Sequence, residues 1–352
     1  MDNKVTIYTI AKEAGVSVST VSRFLTGNAG ISDEKRKRIE DVIRKYNYKP
    51  NVIARNLSNQ ETKMIGFILP DVTHPFYGTT FIEAEKYAVE LGYTLLLCNT
   101  MNDNMVNYTR MEENYIEILS QKLVDGVIMM GGHINELQVD PEYIRKLNRL
   151  IESVPVVMIN GEIEGLDCYR ITTNDETGIR AMINYLVSLK HTKIGFIGGI
   201  LGIQPTNKRL AAVKEAMAAK GLEFRDEWFI ESGFDINAGM SAFEKLLQMN
   251  ERPTAVACIN DLVAIGANYS AVKFGLKIPE DMSIVGFDNI YLAEYMIPRI
   301  TTIGINLKEV ARYAVDILYQ RLSGKNPQKK IELETQLVIR DSCISAKAGN
   351  GI

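Results

Sequence analysis

The amino-acid sequence predicts two structural classes in one chain: an all-α N-terminal head with a helix-turn-helix and a hinge helix, then a two-lobed α/β body with parallel sheets. Three observations carry this expectation. Near the N-terminus two short helical patterns meet at a single glycine, Gly15. From Met64 onward short apolar runs alternate with helical patterns, as expected of strands buried on both faces and joined by crossover helices. Within that alternation Ile65-Gly66-Phe67-Ile68 returns letter for letter as Ile194-Gly195-Phe196-Ile197, 129 residues later, so the α/β plan restarts as a second unit.

In the head, Ile10, Ala11 and Ala14 form an apolar face at helical spacing, and Gly15 stands where that helix must stop and turn. So tight a turn needs a residue that tolerates positive φ, and Ser17 offers an oxygen to the unpaired amides of the next helix. Val21, Phe24 and Leu25 of the second helix point inward. Val18, Ser19, Ser22 and Arg23 are left as a small, polar and basic face that fits a major groove. An ordinary pair of packed helices would show the same apolar spacing, so this stretch alone leaves both readings open. After the loop Thr26-Gly27-Asn28-Ala29-Gly30, Ser32 caps a third helix, with Asp33 and Glu34 in its first turn where acids suit the helix dipole. Ile39, Val42, Ile43 and Tyr46 close a three-helix core. Pro50 ends what precedes it, and Asn51 can cap a helix over residues 51–57. That helix is too short to persist alone in water, because nucleation costs more than its few hydrogen bonds return. It should form when DNA or a second copy holds it.

In the body, strands are expected at residues 65–69, 93–98, 126–130 and 154–159, with helices near 79–91, 108–121 and 141–151 between them. The second unit places strands at 194–197, 255–259 and 283–287 and helices near 208–219, 238–248 and 262–274. The resulting domains are 1–49 (head), 50–63 (hinge helix and linker) and 64–352 (body). The lobes are approximately 64–160 plus 291–323, and 161–290 plus 324–345.

Composition narrows the function. The net charge of −3 hides an asymmetry: residues 1–63 hold twelve Lys/Arg against seven Asp/Glu, a balance of +5, and the remainder carries −8. A basic head on an acidic body suggests a polyanionic partner for the head alone. The four cysteines are far apart without a C-x-x-C pair, and read as core thiols of a reducing cytoplasm. The three histidines lack metal spacing, so neither a metal nor a cofactor is expected. The N-terminus has no apolar signal core, and no apolar stretch approaches the ~20 residues of a membrane span. A cytoplasmic protein without a membrane partner is expected. Gly198-Gly199-Ile200-Leu201-Gly202 superficially resembles a phosphate loop, but it lacks both phosphate-loop spacings and the lysine that should follow. No Ser-His-Asp or paired-carboxylate arrangement stands out, which argues against an enzyme.

Taken together these stretches resemble the lactose/galactose repressor (LacI/GalR) family of bacterial transcription regulators, over nearly the whole chain. The likeness is most specific in V-T-I-Y-x-I-A-x-E-A-G-V-S-V-S-T-V-S-R and N-Y-K-P-N-x-x-A-R-x-L. The body adds Arg209-Leu210-Ala211, Asn260-Asp261 and Val285-Gly286-Phe287-Asp288. The resemblance implies a periplasmic-binding-protein-like body, and a homodimer on a near-palindromic operator. It implies base reading by Val18, Ser19 and Arg23, and phosphate positioning by Thr6, Tyr8, Ser17, Thr20, Ser22 and Asn28. It also implies a hinge in the minor groove through Asn51, Ala54 and Leu57, with Leu57 wedged into the central step. One small head reads too few bases to find one site in a genome, which argues for two heads independently of the resemblance.

Ligands of open α/β sheets sit beyond the carboxyl ends of the strands. There the family's cleft places a small-molecule effector, usually a sugar and in some branches a purine. The corresponding residues are Phe76, Arg209, Phe234, Asn260 and Asp288, with Asp261, Asn160 and Asn174 beside them. Asn260 and Asp288 would equally serve as helix caps, and Phe76 and Phe234 as core. The expected function is an allosteric repressor of transcription controlled by a small-molecule effector, a sugar. The alternatives are a freestanding sugar-binding protein, or a regulator that answers to a purine or a phosphorylated effector.

Overall fold

The computed structural model describes residues 5–25, 30–48, 61–100, 105–121 and 123–346, with 105–109 by backbone alone. Asn28 and the hinge segment, with Asn51, Ala54 and Leu57, lie outside the described residues. The chain separates into two units, Met1–Thr62 and Lys63–Ile352.

The first unit holds α1 (Ile7–Ala14), α2 (Val18–Leu25) and α3 (Asp33–Lys45). Gly15 ends α1 at φ 62°, a left-handed conformation that lets the Val16 amide reach the Ala11 carbonyl at 3.0 Å. Ser17 caps α2, its Oγ accepting from the Thr20 amide at 3.2 Å. Ile10, Ala11, Ala14, Val21 and Ile39 form the buried centre, with Phe24, Val42, Ile43 and Tyr46 packed around it. Ser32 stands at the N-cap of α3 without a side-chain capping bond, so Asp33 and Glu34 serve that end through the dipole.

The second unit contains two lobes, each built on a six-stranded sheet. The first lobe starts with β1 (Met64–Leu69), α4 (Pro75–Glu90), β2 (Thr94–Asn99) and α5 (Met105–Leu119). It continues with β3 (Gly126–Met130), α6 (Pro141–Ser153), β4 (Val156–Ile159) and β5 (Tyr169–Asn174). The second lobe takes α7 (Asp175–Ser188), β6 (Ile194–Ile197), α8 (Gln204–Ala218), β7 (Phe229–Ile230) and α9 (Ile236–Leu247). It is completed by β8 (Ala255–Cys258), α10 (Asp261–Lys273), β9 (Ser283–Asp288), α11 (Tyr291–Tyr295) and β10 (Thr301–Gly304). Then α12 (Leu307–Leu322) and β11 (Lys330–Glu334) return to the first lobe, and β12 (Gln336–Val338) to the second.

The strand orders are β11-β5-β4-β3-β1-β2 and β12-β10-β9-β8-β6-β7. All pairs are parallel except β10 with β12. The repeated tetrapeptide occupies the same place in both sheets: β1 lies between β3 and β2, and β6 between β8 and β7. These strands are buried on both faces, which is why the motif reads as a continuous apolar run.

The lobe boundaries differ from those expected. Residues 169–174 belong to the first lobe, because β5 pairs with β4 and β11 pairs with β5. Residues 301–304 belong to the second, because β10 pairs with β9. The chain therefore crosses between lobes at 174–175, 304–307 and 334–336. At two of these crossings Thr335 acts as a pin, its Oγ1 donating to the Asn174 carbonyl at 2.7 Å and accepting from the Gly178 amide at 3.0 Å. All four cysteines are buried and free. Among the described residues no helix is long and apolar enough to cross a membrane.

Candidate functional site

In the head, α2 carries Val18, Ser19 and Arg23, the residues expected to read bases, and Ser22, expected to position a phosphate. Ser19, Ser22 and Arg23 are exposed, whereas Val18 is half-buried and packs partly on the head core. A bond of 2.8 Å joins Ser17 Oγ to Ser19 Oγ and another to Thr20 Oγ1, so three hydroxyls cluster at the start of α2. Tyr8 is 71% exposed on α1, and Thr6 precedes that helix. Hydroxyls and amides at the starts of two helices suit phosphate oxygens, and an exposed arginine on α2 suits a guanine edge.

In the body, the strand ends converge on a cleft between the lobes. From the second lobe comes Arg209, on α8 and only 7% exposed. Its Nε donates to Asp175 Oδ2 at 2.8 Å and its Nη1 to the Ile259 carbonyl at 2.6 Å. Its Nη2 lies 3.6 Å from Asp288 Oδ1. The guanidinium also stacks on Phe287, 3.5 Å from the ring centroid. Burial opposes the charge, but Asp175 and Asp288 more than offset it and hold the arginine above its ordinary pKa. Asp288 ends β9 at φ 98°, a region few residues other than glycine adopt, and strain of this kind collects at ligand sites. Burial pushes its carboxyl up to about 7, against the pull of Arg209 and with the added push of Asp175.

The first lobe contributes the start of α4. His74 Nδ1 accepts from the Phe76 amide at 3.3 Å and so caps that helix. Phe76 reaches the other lobe, packing with Leu292 and Met296 on Leu262, Ile265 and Ile290. Tyr77 packs edge-on to Phe76, with centroids 5.3 Å apart. Its hydroxyl is raised above the ordinary phenol value by burial and then by the Asp288 charge, so the two groups sense each other across the cleft. Gly131, after β3 at φ 75°, makes room for it: a Cβ there would lie 2.8 Å from Tyr77 Oη and 2.8 Å from Pro70 Cγ.

The structure thus brings Phe76, Arg209 and Asp288 to one cleft, and adds Asp175 and Tyr77, which sequence reasoning missed. Asn260 is employed differently. Its Oδ1 caps α10 at the Val263 amide (2.9 Å) and its Nδ2 donates to the Phe234 carbonyl (2.8 Å), so it holds the half-buried Phe234 in place. Asp261 is fully buried, accepting from Thr302 Oγ1 at 2.6 Å and the Ile290 amide at 2.8 Å, and braces the turn that follows Asp288. Asn160 and Asn174 are likewise engaged, with the Thr173 amide (2.9 Å) and the Thr177 amide (3.3 Å). A separate groove of about 380 Å³ between α7 and α8, lined by Glu176, Arg180, Glu215 and Lys220 among others, contains none of the expected effector residues.

Residues 6–51 match the description "Bacterial regulatory proteins, lacI family" and residues 183–343 match "Periplasmic binding protein-like domain". The chain is 31% identical over 338 residues to the HTH-type transcriptional repressor PurR of Aliivibrio salmonicida (strain LFI1238), covering 96% of this chain and 98% of that protein. It is 33% identical over 343 residues to the ribose operon repressor of Haemophilus influenzae, covering 97% and 99%. Among solved structures it is similar to the lac repressor dimer bound to operator and the anti-inducer ONPF. That likeness has a TM-score of 0.84 and 23% identity, over 97% of this chain and 99% of that one. Head and cleft together define a DNA-binding transcription regulator with its own ligand-binding body, not an enzyme. The chain belongs to the lacI family of bacterial regulatory proteins.

Proposed function

We propose that the protein is a cytoplasmic repressor that holds a near-palindromic operator as a homodimer and responds to a neutral sugar in the interlobe cleft. Arg23, Ser19 and Val18 read bases. Thr6, Tyr8, Ser17, Thr20, Ser22 and Asn28 fix register on phosphates. Asn51, Ala54 and Leu57 form the hinge that enters the minor groove. Arg209, Asp288, Asp175 and Tyr77 bond the effector, with Phe76 and Phe234 as apolar walls and Asn260 holding Phe234.

One observation carries the sugar reading: Arg209 is already paired with two carboxylates. A phosphorylated effector would bring its charge against Asp175 and Asp288, whereas a neutral polyol donates hydroxyls to them and accepts from the guanidinium. The ribose operon repressor among the relatives agrees with this class. Dimerisation draws support from Tyr269, Val272 and Phe274 at the end of α10, and from Tyr291, Tyr295 and Ile297 on or beside α11. All six are exposed apolar or aromatic groups on adjoining elements.

The test is a thermal-shift screen of sugars, sugar phosphates and nucleobases, with each hit then added to an operator gel shift. Stabilisation by a neutral sugar that also changes operator binding is expected. Hits confined to phosphorylated sugars or nucleobases would refute the effector class. A protein that never shifts palindromic DNA would be a freestanding binding protein.

A further inference from the structure

The lobes also meet where none of the proposed effector residues lies. Gln204, the first residue of α8, is 5% exposed, and its amide nitrogen faces three main-chain carbonyls of the first lobe. They belong to Glu162 at 2.8 Å, Glu136 at 3.1 Å and Ile134 at 3.4 Å. An amide has two N–H groups, so the three acceptors share them, the longest contact being the weakest. The main chains pair beside it: the Leu137 amide donates to the Gly202 carbonyl at 2.8 Å, and Glu136 and Ile203 form an isolated antiparallel bridge.

Each side of this contact is braced from within its own lobe. In the second lobe, Thr206 Oγ1 accepts from the Ile200 amide (3.1 Å), Glu231 from Leu201 (2.8 Å) and Asn207 from Gly202 (2.9 Å). In the first, the buried Glu112 accepts from the His133 amide at 3.2 Å and from Tyr143 Oη at 2.6 Å. His133 Nδ1 lies 2.8 Å from Glu136 Oε1. Two stiffened loops joined by a few directional bonds separate as a unit, unlike an apolar interface, whose strength grows with area.

We propose that Gln204 is a positioning residue that latches the lobes together and sets how readily the cleft opens. Its role in the response to a ligand rests on the cleft being the effector site; the latch itself does not. A ligand that needs the lobes closed finds them already closed, and a lobe rotation that alters operator binding must first break the Gln204 contacts.

Hydrogen exchange on the full-length, effector-free protein tests this. In the wild type the Leu137 amide is expected to be protected, because its acceptor lies in the other lobe. Gln204→Met keeps the apolar stem and removes the donors. It should speed Leu137 exchange by about tenfold or more while amides in β3 and β8 keep their rates. Asp288→Ala separates the two readings, since it should abolish any sugar response and leave Leu137 exchange as it was. Three results would each overturn the latch: a wild-type Leu137 amide that exchanges like an open loop, unchanged exchange in Gln204→Met, and protection lost throughout both sheets in that variant.

Discussion

Asp288→Asn sets stability against function at one atom. Asparagine tolerates the φ of 98° and keeps the side-chain shape, while Arg209 retains Asp175 at 2.8 Å and the Ile259 carbonyl. The wild-type carboxyl has a folded pKa of about 7 against an ordinary 3.8. Below 3.8 it is protonated in both folded and unfolded chains, and its burial adds no pH dependence. Between 3.8 and 7 only the folded chain binds the proton, so stability falls as pH rises, and above 7 the loss is constant. From pH 5 to pH 8 that loss is about 3 kcal/mol, at about 1.4 kcal/mol for each tenfold change in proton affinity. Asparagine carries no such charge, so the stability advantage of Asp288→Asn should widen by about that amount between the two pH values. Chemical denaturation of both proteins at each pH measures it. Effector affinity should move the other way, by roughly ten- to a hundredfold, since a hydrogen bond to a charged acceptor contributes about 1.5–3 kcal/mol. An advantage that does not widen with pH would refute the buried-carboxylate account, and undiminished sugar binding would remove Asp288 from the site.

Arg23→Ala should reduce preference for operator over scrambled DNA by roughly ten- to a hundredfold in gel shifts, while much nonspecific affinity survives; unchanged preference would move base reading elsewhere. Gly131→Ala would press a methyl against Tyr77 Oη and Pro70, so the effector-induced thermal shift should shrink while ligand-free operator binding persists. His191 is buried, its Nδ1 bonded to Thr254 Oγ1 at 2.9 Å and its Nε2 to the Ile344 carbonyl at 2.9 Å. Burial lowers its pKa below 6.5, so its contribution to stability is complete above 6.5 and is lost as pH falls toward the folded value. His191→Gln should flatten that part of the melting-temperature profile, and an unaltered slope below pH 6.5 would assign it to other groups.

The head was legible because its signals are local. Gly15 and Ser17 act on amides and carbonyls within a few residues, and such bonds are written in the order of residues. The central strands were legible because burial on both faces leaves an unbroken apolar run. Strands β5 and β11 were not. In β5, Tyr169-Arg170-Ile171-Thr172-Thr173-Asn174 is only partly apolar. In β11, Lys330-Ile331-Glu332-Leu333-Glu334 is half exposed and pairs with residues about 160 positions earlier. Missing β5 also hid Asp175, which directly follows it and pairs with Arg209.

By itself, then, the sequence determined a groove-reading head on a duplicated α/β body, and ranked the strand-end polar residues as candidates. Only the tertiary structure decided among them. An Asn or Asp at a strand end can cap a helix, brace a turn or face a ligand, and the residue type is the same in all three cases. Asn260 caps and holds Phe234, Asp261 braces, and Asp288 pairs with Arg209 of its own lobe beside a cleft whose walls come from segments far apart in the chain. Which of these a side chain does depends on partners brought near by sheet pairing and three lobe crossings, and that information is nonlocal.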